Sequence, residues 1–217
     1  MTPDLFDGLS VVESCQERVG PCAVVLRGFA ASDDTTLLAA LQGVIAMAPF
    51  RHMITPGGFR MSVGMTNCGS VGWVTDRTGY RYDAVDPESG DNWPQIPAPF
   101  LRLAKDAAAQ GGFSEFVPDA CLINRYAPGT RLSLHQDKNE RDFDEPIVSA
   151  SLGIPAVFLF GGSNRVDKPS RVQLTHGDVM VWGGPARLRY HGVMPLKEGY
   201  HPLVGRYRIN LTFRKAA

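Results

Sequence analysis

The sequence of 217 residues lacks the features that define several classes of protein. No apolar run approaches the roughly 20 residues that cross a membrane, which argues against a membrane partner. The segment Met1–Asp7 lacks the basic start and apolar stretch of a secretory signal. Internal repeats and low-complexity tracts are absent as well. We therefore expect a cytoplasmic monomer in which residues 1–217 form a single domain.

Paired cysteines and an excess of one charge are also missing. The cysteine spacing fits no zinc motif and predicts reduced thiols. The 22 basic and 22 acidic side chains cancel, which is weak evidence against a nucleic-acid partner. Residues 1–120 nevertheless carry 8 basic and 14 acidic side chains, and residues 121–217 carry 14 and 8. The basic half either presents a phosphate-binding face or uses its arginines to pair with acids or with a small dianion.

The composition is otherwise that of an ordinary globular protein, with 44% hydrophobic and 20% charged residues. Amphipathic spacing predicts a helix over residues 33–47, after Ser32 as N-cap. A second helix is predicted over residues 98–110, between two prolines and a glycine pair. An apolar, β-branched run predicts a first strand over residues 22–29.

From Cys121 onward, short apolar runs alternate with turns rich in glycine, proline and asparagine. Many short strands at this density indicate a double-sheet jelly roll or barrel. The predicted fold class is α+β, with an N-terminal strand and helix (1–49), a supporting helix (98–120) and a β-rich catalytic core (121–217). The expected core strands cover residues 121–127, 131–136, 146–152, 155–160, 171–175, 178–182, 187–193 and 203–214.

Residues 50–97 show no clean hydrophobic period. Glycine, proline, threonine, asparagine and aromatic residues are mixed there, and several glycines divide the segment into short extended pieces. A segment of this length without regular structure is uncommon inside a compact domain. We therefore expect a functional lid or a small irregular sheet.

The pair His135 and Asp137 is a candidate for metal binding. In an extended segment both side chains point to the same side, so both donors reach one ion. Two imidazoles and one carboxylate form the ligand set of a non-haem Fe(II) site with open positions. A His-x-Asp pair also arises by chance, and solvated or hydrogen-bonded histidines are the alternative.

The third donor must come from a different strand, and four histidines compete for this role. His191 is favoured because it lies in a predicted strand and precedes Gly192, which would leave room beside a metal. The other three lie in irregular or turn segments and are His52, His176 and His201.

The C-terminal run Arg208–Arg214 alternates polar and apolar residues. In a strand, the polar side chains then face one side and the apolar ones the other. Buried arginines need anions, and a small dicarboxylate would satisfy two of them through bidentate contacts. A solvent-facing polar strand is the alternative. Asn124 and Tyr126 share a face of the strand before His135 and are candidates for further hydrogen bonds. The polar set is Arg208, Asn210, Thr212 and Arg214.

Together these motifs resemble the AlkB family of Fe(II)- and 2-oxoglutarate-dependent dioxygenases. The order and spacing of the His-x-Asp pair, the distant histidine and the Arg-x-Asn-x-Thr-x-Arg run are specific. The resemblance extends over most of the chain and is close to the bacterial repair enzymes. Its other segments are Thr55–Gly58, Met65–Gly69, Ile123–Gly129, Leu134–Lys138 and Val181–Gly184.

The resemblance implies a double-stranded β-helix with N-terminal helices. It implies that Fe(II) is held by His135, Asp137 and His191, and that 2-oxoglutarate is the cosubstrate. Arg208, Tyr126 and Asn210 would bind the distal carboxylate of 2-oxoglutarate. Arg214 and Asn124 would bind the carboxylate near the iron.

The implied reaction is oxidative demethylation of bases such as 1-methyladenine and 3-methylcytosine, in single-stranded or duplex DNA and possibly RNA. Formaldehyde is released, while 2-oxoglutarate and O2 become succinate and CO2. By the same resemblance residues 50–97 form a nucleotide-recognition lid, in which Trp73 stacks on a flipped base. Ordinary core packing is the alternative for Trp73 and Met65. The implied substrate residues are Met65, Trp73, Tyr80, Asn139 and Arg165.

One position departs from the family pattern. After His135–Lys138 the family often has an acid that accepts a hydrogen bond from the exocyclic amine of the damaged base. This chain has Asn139 there, followed by Glu140. Asparagine both donates and accepts hydrogen bonds, so we expect weaker discrimination in favour of cationic bases.

Two other functions stay open at this point. A related oxygenase would act on a protein or a small molecule through the same iron site. The aromatic residues beside arginines in the lid favour a base instead. A non-catalytic metal-binding barrel, with structural arginines, would release no succinate.

Overall fold

The computed structural model describes residues 15–217, so the N-terminal segment Met1–Asp7 lies outside the described residues. The described chain contains two helices and thirteen strands. The helices are α1 (Asp34–Met47) and α2 (Ala98–Gln110). The strands are β1 (Gln16–Gly20), β2 (Ala23–Leu26), β3 (Gly64–Gly69), β4 (Gly72–Asp76), β5 (Gly79–Asp83), β6 (Ala120–Tyr126), β7 (Leu132–His135), β8 (Ile147–Gly153), β9 (Ala156–Phe160), β10 (Ser170–Leu174), β11 (Val179–Trp182), β12 (His191–Val193) and β13 (Arg208–Arg214).

The strands form two principal antiparallel sheets, which make up a jelly-roll core. The major sheet has seven strands in the order β1-β2-β11-β8-β13-β6-β3, and the minor sheet has four in the order β10-β9-β12-β7. Aromatic contacts join the sheets, since the Phe158 and Trp182 rings lie 5.9 Å apart. The predicted α+β class with a double-stranded β-helix is confirmed.

Both faces of the major sheet are covered, which explains why β8 and β13 are buried along their whole length. One face packs against the minor sheet across a large cavity. The helices cover the other face, α1 through Leu37 and Leu41 and α2 through Phe100 and Leu103. The hydrophobic core between helices and sheet therefore fixes the position of β13, whose opposite face lines the cavity.

Both predicted helices are confirmed to within a residue, but the predicted N-cap is wrong. The first helical hydrogen bond runs from the Leu37 N–H to the Asp33 carbonyl at 2.9 Å. Ser32 therefore lies one residue too early to cap α1. The Asp34 carboxylate instead contacts Nε2 of His176 at 3.1 Å.

Several strand predictions need correction. The exposed polar strand β1 was not expected, and it pairs with β2, which is shorter than the predicted 22–29. The predicted 187–193 begins too early, because a 3-10 turn over Gly184–Ala186 and the residues after it precede β12. The predicted 203–214 also begins too early, because the His201 and Gly205 backbones pair in a turn before β13.

Residues 50–97 contribute to two different structures. Strand β3 pairs with β6 along its full length and belongs to the major sheet, where Met65 and Cys68 are buried. Strands β4 and β5 form a separate two-stranded hairpin. The described residues contain no helix that is both long and apolar enough to cross a membrane.

Candidate active site

His135, Asp137 and His191 meet at one end of the cavity. His135 and His191 are direct register partners on β7 and β12. Asp137 Oδ1 lies 3.7 Å from His135 Nε2, and Asp137 Oδ2 lies 3.6 Å from His191 Nε2. All three donor atoms lie within 4.8 Å of one another. Donors this close suit a shared ion, because metal–ligand distances are about 2.1 Å.

The backbone orients both imidazoles. Nδ1 of His135 lies 2.8 Å from the Ser133 carbonyl, and Nδ1 of His191 lies 3.0 Å from the Arg189 carbonyl. A carbonyl only accepts, so Nδ1 carries the ring proton in both residues. Nε2 of each ring faces Asp137. In many metal sites a hydrogen bond from the ring nitrogen that does not bind the metal fixes the orientation of the imidazole.

The sequence argument for placing His135 and Asp137 on the same side of a strand is only partly right. Strand β7 ends at His135, so Asp137 lies just beyond it. Gly192 also serves a different purpose from the one expected. A Cβ at Gly192 would lie 2.7 Å from the Leu132 carbonyl oxygen. The glycine therefore allows close approach of β7 and β12 rather than leaving room beside a metal.

The three competing histidines lie elsewhere. His52 Nδ1 contacts the Met61 carbonyl at 2.9 Å. His176 and His201 stack on each other with ring centroids 4.1 Å apart. The ring of His191 instead packs edge-on against Trp182, with centroids 5.3 Å apart.

The protonation states of His135 and Asp137 suit the binding of a cation. Burial and the neighbouring His191 lower the pKa of His135 to about 4, so this imidazole is neutral at pH 7. Burial raises the pKa of the Asp137 carboxyl, but Arg214 and His191 outweigh it and hold that pKa well below its usual range. Imidazole nitrogens and a carboxylate are the hard and borderline donors that suit Fe(II).

A buried network of charges, which sequence reasoning missed, surrounds Asp137. Arg214 donates through Nε to Asp137 Oδ2 at 2.9 Å, and the same nitrogen lies 3.4 Å from Glu140 Oε1. Arg187 donates to the Asp137 carbonyl at 2.9 Å and places Nη2 3.2 Å from Glu140 Oε2. The Tyr82 hydroxyl donates to Glu140 Oε1 at 2.6 Å. Two guanidinium groups and two carboxylates therefore balance each other behind the donors.

Among residues 15–217, no carboxylate forms an ion pair with Arg208. This arginine is 1% exposed, and its Nε and Nη1 make no hydrogen bond to any residue from 15 to 217. Nη2 donates to Ser151 Oγ at 2.9 Å, and the guanidinium lies 5.2 Å from the Tyr126 ring centroid. Burial lowers the pKa of this arginine. A buried cation with free donors at the wall of a cavity has the hydrogen-bonding groups that an anion requires.

The alternation predicted for the C-terminal strand is confirmed. Ile209, Leu211 and Phe213 pack in the core beneath the helices. Strand β6 presents the matching face, because Asn124 opposes Asn210 and Tyr126 opposes Arg208 in register. The polar side chains of both strands line the cavity, and they are Asn124, Tyr126, Arg208, Asn210, Thr212 and Arg214.

The side-chain amides of Asn210 and Asn124 differ in the hydrogen-bonding atoms that they leave without a partner among residues 15–217. Asn210 donates from Nδ2 to Ser149 Oγ and to the Ala150 carbonyl, and its Oδ1 accepts from Thr212. It therefore retains no donor for a carboxylate, and its contact with the cosubstrate stays a prediction. The Asn124 amide is buried, and within residues 15–217 its Oδ1 has no hydrogen-bond partner.

The predicted substrate residues all line the same cavity, which has a volume of about 530 Å³. Trp73 and Tyr80 stack across the β4–β5 hairpin with centroids 5.7 Å apart. The indole Nε1 of Trp73 lies 3.2 Å from Asn139 Oδ1. Arg165 lies 5.9 Å from the Tyr190 ring centroid. Met65 is buried in β3, on the same face as Asn67 rather than on the hairpin.

Comparison with known proteins agrees with this geometry. The sequence matches the 2OG-Fe(II) oxygenase superfamily over residues 23–214. It is 56% identical to the alpha-ketoglutarate-dependent dioxygenase AlkB of Salmonella typhimurium over 93% of this chain and 94% of that protein. It is 34% identical to the nucleic acid dioxygenase ALKBH1 of Homo sapiens over 58% of this chain and 33% of that protein.

A solved structure, that of OsALKBH1, superposes with a TM-score of 0.80 at 31% identity and covers 93% of this chain and 100% of that one. The chain therefore belongs to the 2OG-Fe(II) oxygenase superfamily and, within it, to the AlkB family.

Removing the Glu140 charge should destabilise the protein. In Glu140→Gln the side chain keeps its shape, but Arg187 loses its buried counter-ion. We expect the free energy of unfolding to fall by roughly 3–5 kcal/mol, the usual cost of breaking a buried ion pair. Urea denaturation of the metal-free protein measures this change.

The matched control is Glu198→Gln, which removes the same charge from the exposed pair between Glu198 and Arg206. Exposed pairs contribute little, so this variant should unfold like the wild type. Equal stability of Glu140→Gln and wild type would mean that the Arg187 charge is neutralised by other groups.

Proposed function

We propose that this protein oxidatively removes methyl groups from N-alkylated bases of the 1-methyladenine and 3-methylcytosine type in DNA or RNA. The products are formaldehyde, succinate and CO2. One observation carries the proposal: the three metal donors, an unpaired buried arginine and an aromatic pair share a single cavity. The names of the relatives support it, since one is an alpha-ketoglutarate-dependent dioxygenase and another a nucleic acid dioxygenase.

His135, Asp137 and His191 would hold Fe(II). The three residues supply one carboxylate and two imidazoles, which leaves coordination positions for other ligands. When bound, Fe(II) supplies the oxidising chemistry that couples loss of CO2 from 2-oxoglutarate to oxidation of the methyl group. The protein holds the donors in place through the Ser133 and Arg189 carbonyls.

Each of the two arginines of β13 would bind one carboxylate of 2-oxoglutarate. Arg208 offers free donors at the wall of the cavity and would bind the distal carboxylate beside Tyr126. Arg214 stands next to Asp137 and would orient the carboxylate near the metal, together with Asn124. Because Arg214 already neutralises Asp137 and Glu140, its replacement would disturb the network as well. Arg208 is therefore the cleaner probe of the cosubstrate.

The base would enter between the hairpin and the donor residues. A damaged base must leave the helical stack to reach such a cavity, and aromatic side chains compensate by stacking. Trp73 and Tyr80 supply that surface, and the buried Met65 and the exposed Arg165 also line the cavity. An aromatic pair of this kind suits a planar base better than an aliphatic protein side chain. Action on nucleic acid, together with free cysteines, supports the cytoplasm as the site of action, and we propose a monomer.

The function is tested with a single-stranded oligonucleotide that carries one 1-methyladenine. In the presence of Fe(II), 2-oxoglutarate and O2 we expect formaldehyde and succinate in equal amounts. His135→Ala should lose Fe(II) binding, measured by calorimetry under anaerobic conditions, and should form neither product. His201→Ala removes a histidine outside the cavity and serves as the control. Formation of succinate without formaldehyde, whichever methylated base is supplied, would favour a different substrate.

Arg208→Met should separate stability from cosubstrate binding. The change removes an unpaired buried charge, so the free energy of unfolding without 2-oxoglutarate should rise by about 1–4 kcal/mol. In the Fe(II)-loaded wild type under anaerobic conditions, 2-oxoglutarate at 100 times its Kd should raise the free energy of unfolding by about 2.7 kcal/mol. The variant should lose this increase.

Arg125→Met provides the control for Arg208→Met. Arg125 neighbours Tyr126 on β6 but points away from the cavity and stacks on the rings of Phe50 and Tyr207. Its replacement should leave the response to 2-oxoglutarate intact. A full response in Arg208→Met would rule out Arg208 as the binding residue for the distal carboxylate.

A further inference from the structure

Arg187 contacts both ends of an irregular run of the chain. The run covers residues 137–145, lies between β7 and β8, and contains no helix or strand. Arg187 is 2% exposed. Its Nη1 donates to the Asp137 carbonyl at 2.9 Å, and its Nε donates to the Glu145 carbonyl at 3.0 Å. One guanidinium therefore holds the two ends of the run together, and the first residue of the run is a metal donor.

The same guanidinium also contacts the middle of the run. Its Nη2 lies 3.2 Å from Glu140 Oε2, and its central carbon lies 5.5 Å from the ring centroid of Phe143. The planar fork of N–H donors allows arginine to bind carbonyls and a carboxylate at once, which the single ammonium of lysine does less well. Arg187 therefore connects four positions in a segment that has no regular structure.

The run has little support from its own backbone. Within residues 15–217 its one backbone–backbone hydrogen bond joins the Arg141 N–H to the Ala216 carbonyl at 3.3 Å. The Asp144 N–H donates to a side chain of the run itself, Asp142 Oδ1, at 2.8 Å. Segments with few backbone hydrogen bonds open at a low cost in free energy unless other contacts hold them. The order of this run therefore depends on side-chain contacts.

The two residues after Arg187 also contact the parts of the chain that carry metal donors. The Leu188 carbonyl accepts a hydrogen bond from Nε2 of Gln136, which lies between two donors in the sequence, at 2.6 Å. The next carbonyl along the chain lies 3.0 Å from Nδ1 of His191. Three consecutive residues, beginning with Arg187, therefore contact both stretches of chain that supply the donors.

Arg187 holds Asp137 without using its carboxylate. Arg214 donates to Asp137 Oδ2, so it shares that oxygen with any cation bound there. Arg187 donates to the main-chain carbonyl instead, which leaves both carboxylate oxygens available. A donor that is fixed in advance loses less conformational freedom when it binds, and residues outside the ligand set often provide this support in metal sites.

We infer that Arg187 is a positioning residue for the candidate metal centre, because it fixes the backbone from which the Asp137 carboxylate reaches the two imidazoles. The inference rests on the Fe(II) site of the proposed function and does not depend on which base is oxidised. Arg187 acts through Asp137, since its side chain is not part of the cavity lining.

Arg187→Lys tests the inference. Lysine keeps a positive charge next to Glu140 but cannot bind the carbonyls at both ends of the run together. Fe(II) binding is measured by calorimetry without O2 and without nucleic acid. The Kd for Fe(II) should rise by roughly tenfold to a hundredfold, the usual effect of removing a contact that orients a metal ligand. An unchanged Kd in the folded variant would overturn the inference.

Co(II) bound in place of Fe(II) provides a spectroscopic test, because its visible absorption depends on the geometry of its ligands. In Arg187→Lys the spectrum should shift towards that of Asp137→Ala, in which the carboxylate is missing. A spectrum identical to that of the wild type would mean that the carboxylate keeps its position without Arg187, and this result would contradict the inference.

Limited proteolysis tests the metal-free protein. Lys138 and Arg141 are exposed trypsin sites inside the run. Cleavage requires local opening of the chain, so cutting after these two residues should be several-fold faster in Arg187→Lys than in the wild type. Mass spectrometry identifies the cut sites. Equal rates would show that other contacts order the run and that Arg187 does not position Asp137.

Asp178→Asn is the matched control. Asp178 is 2% exposed, pairs with Arg27 at 2.7 Å and lies outside the cavity. Its replacement also breaks a buried ion pair, so the protein should lose stability as a whole. The Fe(II) Kd, the Co(II) spectrum and the cleavage at Lys138 and Arg141 should stay as in the wild type. Equal changes in both variants would attribute the effects to overall stability and overturn the inference.

The outcomes separate the inference from the proposed function. A wild type that binds Fe(II) but demethylates no base would contradict the proposed function, and the Kd of Arg187→Lys would still decide the role of Arg187. Failure of Arg187→Lys to fold would show that Arg187 supports the whole fold rather than the metal centre, which also overturns the inference.

Discussion

The contact between Asp137 and Arg214 is the interaction on which the site depends. His135 and His191 are aligned by the register of β7 and β12, both in the minor sheet. Asp137 lies past the end of β7 and has no strand to hold it, so Arg214 of the major sheet fixes its carboxylate. The donor set therefore forms only when the two sheets are packed against each other. Because β13 is anchored by Ile209, Leu211 and Phe213 beneath the helices, the hydrophobic core indirectly positions the candidate metal centre.

The cavity contains two buried arginines in opposite electrostatic situations. Arg214 is neutralised by Asp137 and Glu140, so its buried charge has counter-ions before any ligand binds. Arg208 is desolvated without a counter-ion, so its burial costs free energy until an anion arrives. The two arginines therefore differ in the donors that they leave free inside the same cavity. Internal pairing accounts for part of the basic excess in the C-terminal half, since Arg187 and Arg214 both contact Glu140.

The parts that sequence could predict are those with a repeating pattern. Alternation in β13 follows directly from strand geometry and appears in the structure. The same argument holds only in part for His135 and Asp137, because β7 ends at His135. The network of Tyr82, Glu140 and Arg187 was missed because residues 137–145 form a polar run without a period, and such a run normally lies in solvent. Only tertiary packing shows that Glu140 is 6% exposed. Strand β1 was also missed. Its side chains are mostly polar and exposed, so its sequence carries no hydrophobic pattern that would indicate a strand.

Two hydrogen bonds join the β4–β5 hairpin to residues 139 and 140, which follow the metal donor Asp137. Trp73 and Tyr82 are cross-strand partners in β4 and β5, so they project from the same face. Trp73 contacts Asn139, which lines the cavity, while Tyr82 contacts Glu140, which lies in the buried network. Of these two consecutive residues, Asn139 faces the cavity and Glu140 contacts Arg214 in the buried network. A substitution at position 139 removes no charge from that network. A substitution that removes the carboxylate at position 140 would leave the buried guanidinium groups of Arg187 and Arg214 without this counter-ion.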